Sequence, residues 1–177
     1  MKKIPFLLFP GPGEPTQAQK EAGNYRKRQV TWRGLTLSIE NEAGTYRRGT
    51  ARDGTQWATL LPFAYGYVRN SMGVDGDQVD TYLGPYLEHA TKVFVVHQRT
   101  YGDWKEYDED KCMVGFDCLD SARDAFLACY DDPRFLGPIT EMPVEEFVSK
   151  VLATKRAPAM IKAARAVVLL LVGKPAA

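Results

Sequence analysis

The segment YGYVRNSMGVDGDQVDTYLGP, Tyr65 to Pro85, places Asp75, Asp77 and Asp80 within six residues, behind a tyrosine pair at Tyr65 and Tyr67. Carboxylates this close repel one another unless water or a cation relieves them, so the cluster is either a solvated turn or a metal site. In a regular strand Asp75 and Asp77 would share a face while Asp80 pointed to the other. A common site therefore needs the chain to turn inside the cluster, and Gly76 makes that turn cheap. Oxygen donors with no His or Cys among them suit a hard cation, so Mg²⁺, or Mn²⁺, fits better than zinc. A calcium-binding EF-hand loop starting at Asp75 would need Gly at its sixth position and Glu at its twelfth, where this chain has Asp80 and Tyr86. Arg47, Arg48, Arg52, Arg69 and Lys111 surround the acidic segments in sequence. Cationic side chains beside a metal are what a polyphosphate substrate requires.

The elements that must position these groups are read from periodicity. TLSIEN alternates as a strand from Thr36 to Asn41, and TYRRGTARDGTQWATL predicts a hairpin turning at Asp53-Gly54. KVFVVHQRT, from Lys92 to Thr100, and KCMVGFD, from Lys111 to Asp117, predict two further strands. The period then becomes helical. Ser121 is a candidate cap, with Ala122, Ala125, Phe126, Cys129 and Tyr130 on one face, and a second helix starts at Pro143 with Val144, Phe147, Val148, Val151 and Leu152 inward. A short basic helix over QAQKEAGNYRKRQ, closed by Gly23, precedes the strands. Strands first and helices last is the order of an α+β domain or a barrel with helical flanks.

With 177 residues, 45% of them hydrophobic, the chain can bury one core, and 15 Gly and 11 Pro imply many turns. The division expected is an N-terminal arm over 1–18, a domain over 19–153 and a basic, apolar tail over 154–177. A formal net charge of +1 gives no global field for nucleic acid or a membrane surface. Cys112, Cys118 and Cys129 lack paired spacing, and with only His89 and His97 beside them they support neither a disulfide framework nor zinc. They are expected to be buried, in a reducing cytoplasmic setting. The apolar start, bracketed by Pro5 and Pro10, is not a signal peptide by pattern, and the run AVVLLLVG is far short of the ~20 residues that cross a bilayer. Trp32 and Trp57 are expected in core or hairpin packing, and the two histidines in structural roles.

Tyr65-Gly66-Tyr67, seven residues, then Asp75-Gly76-Asp77-Gln78-Val79-Asp80 resembles the signature of soluble inorganic pyrophosphatases. A nearer resemblance is to pyrophosphatase-like domains of bacteriophages and other mobile elements. It is carried by AGNYRK at Ala22 to Lys27, GLTLSIEN at Gly34 to Asn41, Trp57, VFVVHQ at Val93 to Gln98, DEDKCMVGF at Asp108 to Phe116 and TEMPVEEF at Thr140 to Phe147. The resemblance implies a small antiparallel barrel of the OB type with two or three flanking helices. It implies that Asp75, Asp77 and Asp80 are metal ligands, with Asp77 the base for the attacking water. Asp108 or Glu109 with Lys111 resembles the family's later D-x-K element, a further ligand and a phosphate contact. Glu40 resembles its early acidic residue, Arg47, with Arg48 beside it, its phosphate-binding lysine, and Tyr65 and Tyr130 its two active-site tyrosines. Asp103 stands near a further ligand position.

The chain departs from the pattern at Gln78, in place of proline, at Asp131, where a lysine follows the second tyrosine, and at Thr59 or Leu60, in place of an arginine. Two readings follow from the resemblance. One is Mg²⁺-dependent hydrolysis of pyrophosphate or a related diphosphate in a bacterial cytoplasm. The other is a catalytically weak module of a phage or mobile element that binds a nucleotide or a host protein. Self-association is compatible with both.

Overall fold

The computed structural model describes residues 15–22, 25–50 and 54–164. Its elements are α1 (Gln17–Ala22), β1 (Arg28–Trp32), β2 (Leu35–Asn41), β3 (Thr45–Thr50), β4 (Gln56–Leu61), β5 (Ala64–Val68), β6 (Asp80–Leu83), β7 (Lys92–Arg99), β8 (Tyr107–Val114), α2 (Leu119–Leu127), β9 (Ile139–Pro143) and α3 (Val144–Ala153). Seven strands form one sheet in the order β1-β2-β5-β6-β8-β7-β9, and β3 with β4 forms a separate two-stranded ribbon.

The barrel expected from the resemblance is not formed: β1 and β9 are opposite edges of an open sheet. Nor is the sheet wholly antiparallel, because β6 runs parallel to β8, with Asp80 opposite Lys111. Both faces of the sheet are buried, which removes the need for the sheet to close on itself. One face carries Leu37, Val68, Val93, Val95, Cys112 and Val114 against Phe147 and Val151 of α3. The other carries Tyr65, Tyr82, Phe94, Val96 and Met113 against Ala122, Ala125 and Phe126 of α2. Strands buried on both faces read as continuous apolar runs, as VFVV in β7 does.

The expected helices form, with shifted boundaries. Helix α2 starts at Leu119, capped by Cys118; Ser121 is the third helical residue and closes a reciprocal capping box by bonding the Cys118 N–H. Ser121 is thus the third residue of the capping box rather than the cap, and the helix starts three residues earlier than a Ser121 cap implies. Cys118 is accordingly exposed, unlike the buried Cys112 and Cys129. In α3 Leu152 is exposed, because the packing stripe passes through Val144, Phe147 and Val151. The chain continues past α3 and stays packed: Ile161 is buried in the α3-side core, and its N–H donates to Asp110 Oδ2 at 2.7 Å. Asp53 of the predicted turn and Gly23 of the predicted helix end lie outside the described residues. Trp57 packs within the hairpin as expected, its ring against Gly49, where an added Cβ would come within 2.3 Å of it. Trp32 is in the core and donates to the Leu87 carbonyl at 2.7 Å.

Candidate active site

Strand alternation collects the polar groups on the α2 face. Tyr65 and Tyr67 project from β5 to one side, and Gly66 between them lies against β2, where a Cβ would stand 1.9 Å from the Ser38 carbonyl oxygen. Tyr67 pairs with Asp80, and Tyr65 with Tyr82, on β6. Because β6 pairs in turn with β8, Asp80 and Lys111 emerge side by side.

The result is a dense cluster. Tyr65 donates its hydroxyl to Asp80 Oδ2 at 2.5 Å, and the Lys111 ammonium forms an ion pair with the same oxygen. Lys111 also lies 2.9 Å from Glu109 Oε2 and donates to the Tyr65 hydroxyl at 3.4 Å. From β7, Gln98 Nε2 donates to Asp108 at 3.0 Å and Glu109 at 3.1 Å, while its Oε1 accepts from the Tyr130 hydroxyl at 2.6 Å. Arg47 reaches in from the ribbon, its guanidinium 4.7 Å from the Tyr65 ring and 5.7 Å from that of Trp57.

The electrostatics follow from this crowding. Burial works against the Lys111 charge, but Tyr130, Tyr65, Asp80 and Glu109 outweigh it and hold the ammonium well above its usual pKa. Burial raises the Glu109 carboxyl, with Asp80 and Asp108 adding repulsion and Lys111 opposing. Burial likewise pushes the Tyr65 and Tyr130 phenols up, against the pull of Lys111. Both tyrosines are therefore hydrogen-bond donors at neutral pH.

Asp75 and Asp77 sit on the exposed turn that leads into β6. Gly76 has φ +91°, the bend the spacing demanded, and Asp75 Oδ1 accepts the Asp77 N–H at 3.1 Å. Gln78 Oε1 accepts the Asn70 N–H at 3.1 Å, tying the ends of this loop together where the family has proline. Glu40 shares the α2 face but is ion-paired with Lys27 at 2.6 Å. Arg48 alternates to the opposite side of the ribbon from Arg47, exposed and 5.1 Å from the Tyr46 ring. Asp103 turns back on its own loop, accepting the Lys105 and Glu106 N–H groups at 2.9 and 3.3 Å. Asp131 is exposed and Thr59 lies opposite Arg47.

Among the described residues, no three acidic, His or Cys side chains converge closely enough to form a metal-holding group. The donor chemistry nevertheless suits a hard divalent cation: Asp80 on β6 and Asp108 and Glu109 on β8 are oxygen donors near Lys111 and Gln98, and Asp75 and Asp77 are oxygen donors on the turn before β6. Gln98 and Tyr82 were not singled out from the sequence. The signal for Gln98 was its place in VFVVHQ, where His97 and Gln98 are polar residues ending an apolar strand; both are buried. His97 serves the other face, bonded to Asp110 and Thr140 at 2.7 Å each, a structural role as expected.

Residues 17–152 match the family model described as Inorganic Pyrophosphatase. The chain belongs to the inorganic pyrophosphatase family. It is thereby a diphosphatase-like hydrolase. No curated protein matches the chain. Among solved structures, that of an inorganic phosphatase from Anaplasma phagocytophilum aligns at 15% identity and a TM-score of 0.41, covering 68% of this chain and 92% of that one. An inorganic pyrophosphatase from Coxiella burnetii aligns at 13% identity and a TM-score of 0.28, covering 62% and 82%. No helix among the described residues is long and apolar enough to cross a membrane.

Proposed function

We propose that this pyrophosphatase-family chain hydrolyses the P–O–P bond of pyrophosphate or a related diphosphate, with Mg²⁺, or Mn²⁺ in its place, held by Asp75, Asp77 and Asp80 together with Glu109 and Asp108. The observation that carries this reading is the gathering of Asp80, Glu109, Lys111 and Tyr65 on one sheet face with Arg47 above them. The cation would supply positive charge at the phosphoryl oxygens and make a nearby water more acidic.

The chain's own groups do the rest. Arg47 and Lys111, both held in their charged forms, attract the phosphate oxygens and stabilise the charge that builds up on the leaving phosphate. Tyr65 and Tyr130, whose protons burial retains, give them to Asp80 and Gln98, and each donates to that phosphate by exchanging this partner for a phosphate oxygen. Asp77, exposed on the turn before β6, takes the proton of the attacking water. Asp80 orients Lys111 and Tyr65 through one shared oxygen. A bacterial cytoplasm, and a phage or mobile-element origin, are the setting the sequence resemblance supports.

The test is phosphate release from pyrophosphate with and without Mg²⁺, using purified protein and its Asp77→Asn variant. Release that needs the metal, and falls by about 10²-fold or more in the variant, is the expected result. One observation favours a binding module instead: Lys111 already bridges Asp80 and Glu109, neutralising two proposed ligands. No release from either protein, with Mg²⁺ binding intact, would assign the cluster to binding alone.

A further inference from the structure

Beside Tyr130, which the proposed hydrolysis uses, lie three rings that it does not use, Tyr101, Trp104 and Phe135. Tyr130, bonded to Gln98, has Phe135 at 5.0 Å between ring centroids. Phe135 meets Trp104 edge-on at 5.0 Å and lies nearly parallel to Tyr101, the planes 27° apart and the centroids separated by 6.2 Å. Tyr101 is 75% exposed, the most exposed large hydrophobic residue among the described residues. The turn beneath it is held by hydrogen bonds. Trp104 adopts a left-handed backbone with φ 59°, its N–H donates to the Thr100 carbonyl, and its own carbonyl accepts from Arg99, both at 3.2 Å.

A single exposed ring is common on a protein surface; Tyr101 differs in being backed by Phe135 and Trp104, a run of rings that leads to Tyr130. An exposed ring, backed by other rings and adjoining a phosphate-binding cluster, has the properties of a base-stacking surface. The geometry points to Tyr101, supported by Phe135 and Trp104, as the platform for the base of a nucleoside diphosphate whose phosphates lie at Arg47 and Lys111. Continuity carries the assignment: Gln98 touches both Tyr130, where the ring series begins, and Glu109, where the charged cluster begins. Charge agrees with it. Arg134, 4.4 Å over Trp104, is already matched by Asp132 at 2.6 Å, so the surface offers rings to a neutral base and leaves the phosphates to Arg47 and Lys111.

The inference rests on the diphosphatase reading, since a nucleoside diphosphate carries the same P–O–P link with one phosphate esterified. The water oxygen bonds to the terminal phosphorus and the bridging P–O bond breaks, its electron pair remaining on the nucleoside monophosphate. One water proton stays on the released phosphate and the other passes to Asp77 and then to solvent.

Calorimetric titration with AMP, in the presence of Mg²⁺, separates the two readings because AMP has the base but no P–O–P link to cleave. Tyr101→Ala is expected to weaken AMP binding roughly tenfold or more, Tyr101→Phe to restore it, and ribose 5-phosphate to bind wild type and Tyr101→Ala alike. Tyr46→Ala, on the outer side of the ribbon, controls for the loss of an exposed aromatic ring. In turnover, Tyr101→Ala should lower kcat/KM for ADP by a factor at least tenfold greater than for pyrophosphate. AMP binding that is absent from the wild type, or equal in Tyr101→Ala, overturns the platform even if pyrophosphate is hydrolysed. Tyr101-dependent AMP binding without phosphate release from ADP or pyrophosphate supports the platform and overturns the hydrolytic reading. Self-association that vanishes in Tyr101→Ala, with no change in AMP binding, overturns the platform and assigns the ring to a second copy of the chain.

Discussion

Lys111 is the residue on which the site turns. Its side chain is 2% exposed, and burial of an ammonium at that depth is tolerated only because Asp80 and Glu109 flank it and Tyr65 accepts from it. Replacing it with a neutral group of similar length strands two carboxylates. Lys111→Met is therefore expected to lose about 3–5 kcal/mol of stability in urea unfolding. It should also release phosphate at least ~10²-fold more slowly, as for loss of a single electrostatic donor. Stability equal to wild type would show that the carboxylates do not depend on the ammonium. At this scale the sequence was informative where spacing is short. The turn at Gly76 followed from the D-G-D pattern, whereas Gln98 was hidden because its partners Asp108, Glu109 and Tyr130 come from other parts of the chain.

Strand periodicity decides which of two adjacent arginines can act. On β3 burial alternates, so Arg47 faces the Tyr65 ring and Arg48 faces solvent. Arg47→Ala should cost roughly 10²-fold in phosphate release. Arg48→Ala should leave stability within ~0.5 kcal/mol of wild type and turnover nearly unaltered. Equal losses in both would mean that the ribbon does not hold this register. Gly66 makes a similar point for β5. A Cβ there would collide with the Ser38 carbonyl, a backbone atom that cannot swing aside, so Gly66→Ala should cost at least ~1–3 kcal/mol and displace Tyr65 and Tyr67 together. Circular dichroism melts and phosphate release would report both effects. Of the elements themselves, α2, α3 and the apolar strands β2 and β7 were legible from their periods, whereas β8 starts at Tyr107 and ends at Val114, four residues before and three residues short of the expected Lys111 to Asp117, because its acidic start reads as a loop. β1, β5, β6 and β9 were not, being short segments whose partners supply most of their stability.

For the whole molecule, burial on two faces sets the response to pH and to truncation. Burial raises the phenols of Tyr65, Tyr82, Tyr107 and Tyr130, and the Lys111 ammonium, against the opposing effect of burial, is held up by its neighbours. Each of these groups binds its proton more tightly when folded than in the unfolded chain, where tyrosine titrates near ~10 and lysine near ~10.4. Their contribution is thus fully present below about pH 10 and is lost as pH rises from there through the folded values. Urea unfolding should show this contribution as a steep loss of stability above about pH 10; an equal decline between pH 7 and 9 would contradict it. On the other face, Ile161 is 2% exposed and its N–H holds Asp110, so Ile161→Ala should cost ~2–5 kcal/mol. A smaller loss would mean that the segment after α3 only rests on the core.

The sequence by itself displayed the candidate chemistry. Carboxylates spaced for a hard cation, tyrosines at a set distance before them and a lysine two residues after an acid are local patterns, and local patterns survive without a fold. Only the tertiary structure decided which of these groups meet. Parallel pairing of β6 with β8 joins Asp80 to Lys111 across 31 residues, the ribbon brings Arg47 over Tyr65, and Glu40 is drawn to Lys27 instead. It also decided that the sheet stays open, because α2 and α3 each bury a face that a barrel would have had to bury by closing. Contacts of that range draw their free energy from packing summed over the whole core, and no short stretch of residues contains that sum.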